Sequence, residues 1–74
     1  MYFVELTKRI DKKKIMVNVK NIRYFETIGK DIYGNIINGS NIFYSNGDFV
    51  QVLETYQEII DMMKRLNSVS CGTL

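Results

Sequence analysis

Alanine, proline, histidine and tryptophan do not occur in these 74 residues, and cysteine occurs once, as Cys71. Without histidine the usual general base is missing, and serine or cysteine nucleophiles without such a base are poor catalysts near neutral pH. The inventory therefore predicts a protein that is not an enzyme and carries no cofactor. A zinc site would need carboxylates alone or several chains. One cysteine excludes an internal disulfide framework, and Cys71 has no basic sequence neighbour to activate it, so it reads as an incidental thiol in a reducing compartment. Met1-Tyr2-Phe3-Val4 is followed at once by Glu5, and no later run approaches the ~18 apolar residues of a membrane span. The expectation is a bacterial cytoplasmic protein with no membrane segment.

What is present is 46% hydrophobic and 24% charged, the composition of one small globular domain. The patterned part spans 1–66, and 67–74 reads as a flexible tail. A chain of this size buries only about 60% of its unfolded surface, which implies a stability of about 4–11 kcal/mol and makes help from an oligomer partner unsurprising. Abundant Ile, Asn and Lys, with no Ala, is the bias of A/T-rich codons and suggests a low-GC bacterium, its phage or a mobile element.

Tyr2 to Thr7 is rich in β-formers, with Tyr2, Val4 and Leu6 alternating against Phe3, Glu5 and Thr7. Ile15, Val17 and Val19 alternate in the same way, so these two strands should form a hairpin whose tip, Lys8 to Lys13, is basic. Asn18 to Asn21 reads as a tight turn or one helical turn. A third strand is expected from about Ile22 to Ile28. Gly29, Gly34 and Gly39, with Asn35 and Asn38 between them, then mark a long flexible connection to Ser40. Loops of that length in small domains are often functional, which makes Ile32, Tyr33, Ile36 and Ile37 candidate binding residues.

Asn46-Gly47 between two apolar runs predicts a two-residue type I′ hairpin. That turn would pair Tyr44 with Phe49 and Phe43 with Val50. One face would then carry Phe43, Val50 and Val52, and the other Ile42, Tyr44, Phe49 and Leu53, so both faces need cover. Thr55-Tyr56-Gln57-Glu58 fits the capping box of a helix start. Tyr56, Ile59, Ile60, Met63 and Leu66 follow as an apolar stripe, and Asp61 and Arg65 are spaced for an i,i+4 ion pair. The expected fold is α+β: a small antiparallel sheet of four or five strands with one C-terminal amphipathic helix packed on it.

The order Leu6-Thr7, Val17-Asn18, Ile22, Glu26, Asn46-Gly47, Val52, Glu54 and an amphipathic helix through Arg65 resembles the small FlbD-like proteins, flagellar-associated in bacteria with look-alikes in phage genomes. The resemblance covers about two-thirds of the chain. It implies a β-sheet-plus-helix layout and a flagellar accessory role, and it brings no catalytic residues.

Three further patterns carry competing readings. Glu54, Glu58 and Asp61 could be read as a paired-carboxylate site, but Glu58 already serves the cap and a solvated acidic ridge is the favoured reading. The three glycines invite a phosphate-loop reading, yet no Gly-Lys-Ser/Thr follows them and no helix opens there. The first thirty residues hold eight basic and three acidic side chains, a net +5 against −3 for the remainder. Lys8, Arg9, Lys12, Lys13 and Lys14 in the hairpin, with Tyr24 and Phe25 nearby, could track a nucleic-acid backbone. A solvated turn with lysines that guard a sheet edge is the favoured reading, and a net charge of only +2 argues against a dedicated nucleic-acid binder.

The leading expectation is a non-enzymatic protein-binding module, acting as a homodimer through Ile42, Tyr44, Phe49 and Leu53, with a phage-encoded inhibitor of a bacterial host protein or defence system as its more specific form. Nucleic-acid binding through the basic hairpin and a flagellar role are the alternatives. The cap predicts its own test: Thr55→Ala should cost about 1 kcal/mol of stability in chemical denaturation.

Overall fold

Val4 and Leu6 alternate with Phe3 and Glu5, so an extended chain turns both aliphatics to one side, and β1 (Phe3–Thr7) buries them at 4% and 0% exposure. β2 (Lys14–Asn18) pairs antiparallel with β1 and brings Val17 opposite Val4 and Ile15 opposite Leu6. The Asn18 side chain accepts from the Lys20 N–H and starts a single 3₁₀ turn, Val19–Asn21. The computed structural model describes residues 2–71, with side chains as far as Leu66.

β3 (Ile22–Lys30), β4 (Ile36–Tyr44) and β5 (Phe49–Val52) form an antiparallel meander. α1 (Tyr56–Cys71) follows. The fold is α+β, but its five strands make two sheets, of two and three strands, in place of the single sheet expected. The cause lies at the end of β1. After Thr7 the chain leaves β2 and runs beside β5: the Leu53 N–H donates to Thr7 O at 2.8 Å, Lys8 bridges Val52, and the Arg9 N–H donates to Gln51 O at 2.9 Å. Those bonds join the sheets at one corner only.

Glu54 locks that corner. Its carboxylate accepts from the Thr7 N–H at 2.8 Å and from the Thr7 hydroxyl at 2.9 Å, while its backbone carbonyl accepts from the Ser40 hydroxyl at 2.9 Å. One residue therefore ties β1, β4 and the start of the helix together. Thr7 and Ser40 are the buried polar residues of the core, and both are satisfied by these bonds. The capping box forms as expected, with the Thr55 hydroxyl accepting from the Glu58 N–H and the Glu58 carboxylate accepting from the Thr55 N–H. Ile59 is fully buried, Met62, Met63 and Leu66 pack on the core, and Tyr56 lies against Phe25. Met62, outside the expected stripe, thus joins it.

Four further expectations change. The Gly29–Ser40 segment is no long connection: β3 and β4 extend into it, and Asp31–Asn35 forms a tight turn. Gly29 and Gly39 lie within strands, around a register shift, and only Gly34 serves the turn itself. A Cβ on Gly39 would overlap the carbonyl oxygen of Val52, so glycine there permits a close backbone approach and does not mark a loop. The Asn46-Gly47 hairpin also differs. Gly47 alone takes positive φ, at 94°, and the Gly47 N–H donates to Tyr44 O while the Tyr44 N–H donates to Asp48 O. This is a three-residue loop with a glycine bulge.

The extra loop residue shifts the pairing by one, to Phe43 with Phe49 and Ile42 with Val50. The helix runs to Cys71, past the expected end at Leu66. The rest of the expected tail, 72–74, lies outside the described residues. Asp61 accepts from the Gln57 amide at 3.1 Å and does not pair with Arg65.

Replacing Glu54 with Ala strands two donors of Thr7, one of them a buried backbone N–H. The expected loss is about 2–3 kcal/mol, seen as a lower urea midpoint at unchanged slope, with Glu54→Gln falling between wild type and Ala.

Candidate functional site

Two local irregularities aim the aromatic side chains. Ile22 pairs with Tyr44 but Tyr24 pairs with Phe43, so Arg23 is an extra residue in β3. Ile22 consequently joins the face that meets the core, and Tyr24 turns to the opposite one. The three-residue loop after Tyr44 does the same for Phe49, placing it directly across from Phe43. Tyr24, Phe43 and Phe49 thus form a ladder across all three strands, on the side of the sheet away from the core.

The rings of Tyr24 and Phe43 stack with centroids 4.5 Å apart and planes 19° from parallel, and those of Phe43 and Phe49 at 5.6 Å and 25°. Tyr24 remains 48% and Phe49 60% exposed. The Arg23 guanidinium lies 6.0 Å from the Tyr24 ring centre, within reach of a cation–π attraction. At the other end Arg9 and Ile10 line a shallow cleft with Phe49 and Gln51. The next row along the strands is polar: Glu26 opposes Asn41, and Asn41 opposes Gln51. Asn41 Oδ1 is buried there with no hydrogen-bond partner.

The structure separates the four residues expected to form one interface. Ile42 is fully buried in the core, and Tyr44, partly buried on the same side, has its phenol pKa pushed up by that burial. Phe49 stands on the opposite side, in the ladder, and Leu53, 38% exposed, follows the end of β5. Tyr24 belongs to the ladder while Phe25 packs inward against Tyr56. The sequence pattern set Phe43 on a face with Val50 and Val52 and gave Glu26 and Gln51 no place beside it; only the bulge and the register bring the three to this face.

Among the basic residues, Lys8 is paired with Asp11 at 3.1 Å and Arg9 is drawn to the β5 edge by its backbone bond. Lys12, with φ of 59°, Lys13 and Lys14 remain at the exposed tip. The hairpin is therefore less a single basic prong than the charge run suggested. Asp11 accepts from the Lys13 N–H, and that bond, with Lys8 beside it, holds its carboxyl below the usual range.

Ile32 and Tyr33, 91% and 82% exposed, crown the β3–β4 turn, whereas Ile36 and Ile37 open β4 opposite Lys30 and Gly29. Asp31 builds this turn, its Oδ1 accepting from the Tyr33 N–H at 2.8 Å and the Asn35 N–H at 2.9 Å. The carboxylates 54, 58 and 61 are engaged separately, by Thr7, Thr55 and Gln57. Among the described residues no three His, Cys, Asp or Glu side chains converge to hold a metal ion, and no helix is long and apolar enough to cross a membrane.

Comparison with family models, with curated proteins and with solved structures returns no match for this chain.

The backbone bond from Asn35, followed by that from Tyr33, depresses the Asp31 pKa. A depressed folded-state pKa means the turn is favoured above the ordinary aspartate range and loses that support as pH falls through the lowered value. Carboxyl-detected NMR should find Asp31 titrating below a peptide aspartate, with the Tyr33 and Asn35 amide shifts following the same midpoint.

Proposed function

We propose that this protein is a non-enzymatic binding module that engages a protein partner through the open face of its three-stranded sheet. One observation carries the reading: three aromatic side chains from three strands lie in contact on that face, with Tyr24 and Phe49 still largely exposed. Exposed aromatic clusters of this kind are costly in water and are the residues that dominate protein interfaces. Arg23 and Arg9 at the two ends of the ladder are also of an interface-enriched type. The face lies on regular strands braced by the core, so little ordering would be lost on binding.

Nucleic-acid binding is the second reading, favoured by the arginines at either end of the rings. Stacking weighs against it. Bases bind aromatic platforms through free ring faces, and here Phe43 is stacked between Tyr24 and Phe49, and Tyr24 lies between Phe43 and Arg23. Inhibition of a bacterial protein and a flagellar accessory task are particular uses to which such a surface could be put, and the proposal is made at the level of protein binding.

Phe49→Asp is the direct test. The side chain is exposed, so the fold should lose about 1 kcal/mol or less, while capture of the wild-type partner from a bacterial lysate should fall at least about tenfold. If capture is unchanged and binding to single-stranded DNA instead falls steeply with salt and with neutralisation of Lys12, Lys13 and Lys14, the second reading replaces the first.

A further inference from the structure

The polar row beside the aromatic ladder is charged at its two ends and with opposite signs. It runs from Glu26 on β3 through Asn41 on β4 and Gln51 on β5 to Arg9, whose N–H is bonded to Gln51 O. Among the described residues neither the Glu26 carboxylate nor the Arg9 guanidinium has an ion-pair partner within the chain. Each charge sits at the far edge of the face from the other, so they cannot neutralise one another within one molecule.

Resting on the reading of this face as a protein-binding surface, we propose that its partner is a second copy of the same chain, packed sheet to sheet about a two-fold axis. The axis lies in the plane of the face, runs parallel to the strands and passes between β4 and β5. Such an axis lays the row on itself in reverse. Glu26 then faces Arg9 of the second copy, and Arg9 faces Glu26, so a single complementary pair is made twice, as an isologous contact requires. Asn41 meets the Gln51 amide.

The aromatic row obeys the same operation. Phe43 lies over Phe49 of the second copy, and Tyr24 is carried to the shallow cleft that Arg9, Ile10 and Phe49 line beyond the end of the ladder. Strands of the two copies run along the common axis, the aligned mode in which twisted sheets stack face to face. A two-fold axis across the strands would instead lay each strand over itself and bring Glu26 over Tyr24, whose ring carries the Arg23 guanidinium at 6.0 Å, and the Arg9 end of the row would then lack Glu26. Pairing of the two unpartnered charges of the row, Glu26 with Arg9, marks the first arrangement.

Sedimentation velocity from micromolar to millimolar concentration, at low salt, reads the proposal directly. Wild type should pass from monomer to dimer within that range. Glu26→Arg and Arg9→Glu, each placing like charges opposite one another twice, should weaken dimerisation by about tenfold or more, and the double variant should recover to within about threefold of wild type. Glu26→Gln, which keeps size and removes only charge, should fall between. Both side chains are exposed, and circular dichroism of each variant confirms that folding is intact. A dimer indifferent to both reversals, or a double variant no better than the singles, overturns the arrangement. A wild type that stays monomeric while capture of another protein still depends on Phe49 overturns the second copy as partner and leaves the binding face standing. Loss of both overturns the face itself.

Discussion

The interaction on which the rest of the structure depends is the double hydrogen bond from Thr7 to the Glu54 carboxylate. A two-stranded hairpin is marginal alone in water and needs the three-stranded meander and the helix to bury its apolar face. Here they share a core only because the end of β1 is held against β5 and the start of the helix. Glu54 makes that junction with its side chain on β1 and its carbonyl on Ser40 of β4. With the corner closed, Val4, Leu6 and Val17 from one sheet meet Ile42 and Val52 from the other under Ile59 of the helix. Buried polar groups at the junction restrict it to one geometry, since any slip would strand a donor away from water.

The helix, lying on the core side, leaves the other side of the three-stranded sheet open, and irregular backbone decides what that side displays. An extra residue at Arg23 and a three-residue loop at Ser45–Gly47 each change the parity of a strand. Without either, Tyr24 and Phe49 would not both meet Phe43. Bulges that re-aim side chains are frequent beside functional surfaces. The exposed aromatic face therefore rests on two small departures from regular pairing as much as on the aromatic residues themselves.

Much of the fold was legible because local mechanics were written locally. Alternation in Val4–Leu6 and Ile15–Val17 marked a hairpin, Asn18 marked the turn after it, and Thr55 with Glu58 marked the helix start; all are found. The glycines misled where their role was tertiary. Gly39 reads as a loop residue, yet it sits in a strand because the Val52 carbonyl needs the space of its missing Cβ. Asn46-Gly47 signals a hairpin correctly but does not specify loop length, and a one-residue difference sent Ile42 inward and Phe49 outward. Glu54 looked like part of an acidic ridge because nothing nearby in sequence reveals a donor 47 positions away.

The sequence by itself determined the α+β class, the first hairpin, the capped helix and an inventory poor in catalytic groups, all properties of short-range pattern and composition. The tertiary structure alone decided that five strands form two sheets, that Glu54 joins them, and that Tyr24, Phe43 and Phe49 share one open face. Side-chain direction along a strand has a period of two, so a single bulge or loop residue reverses it. Which strands carry one is settled by the packing of the whole chain.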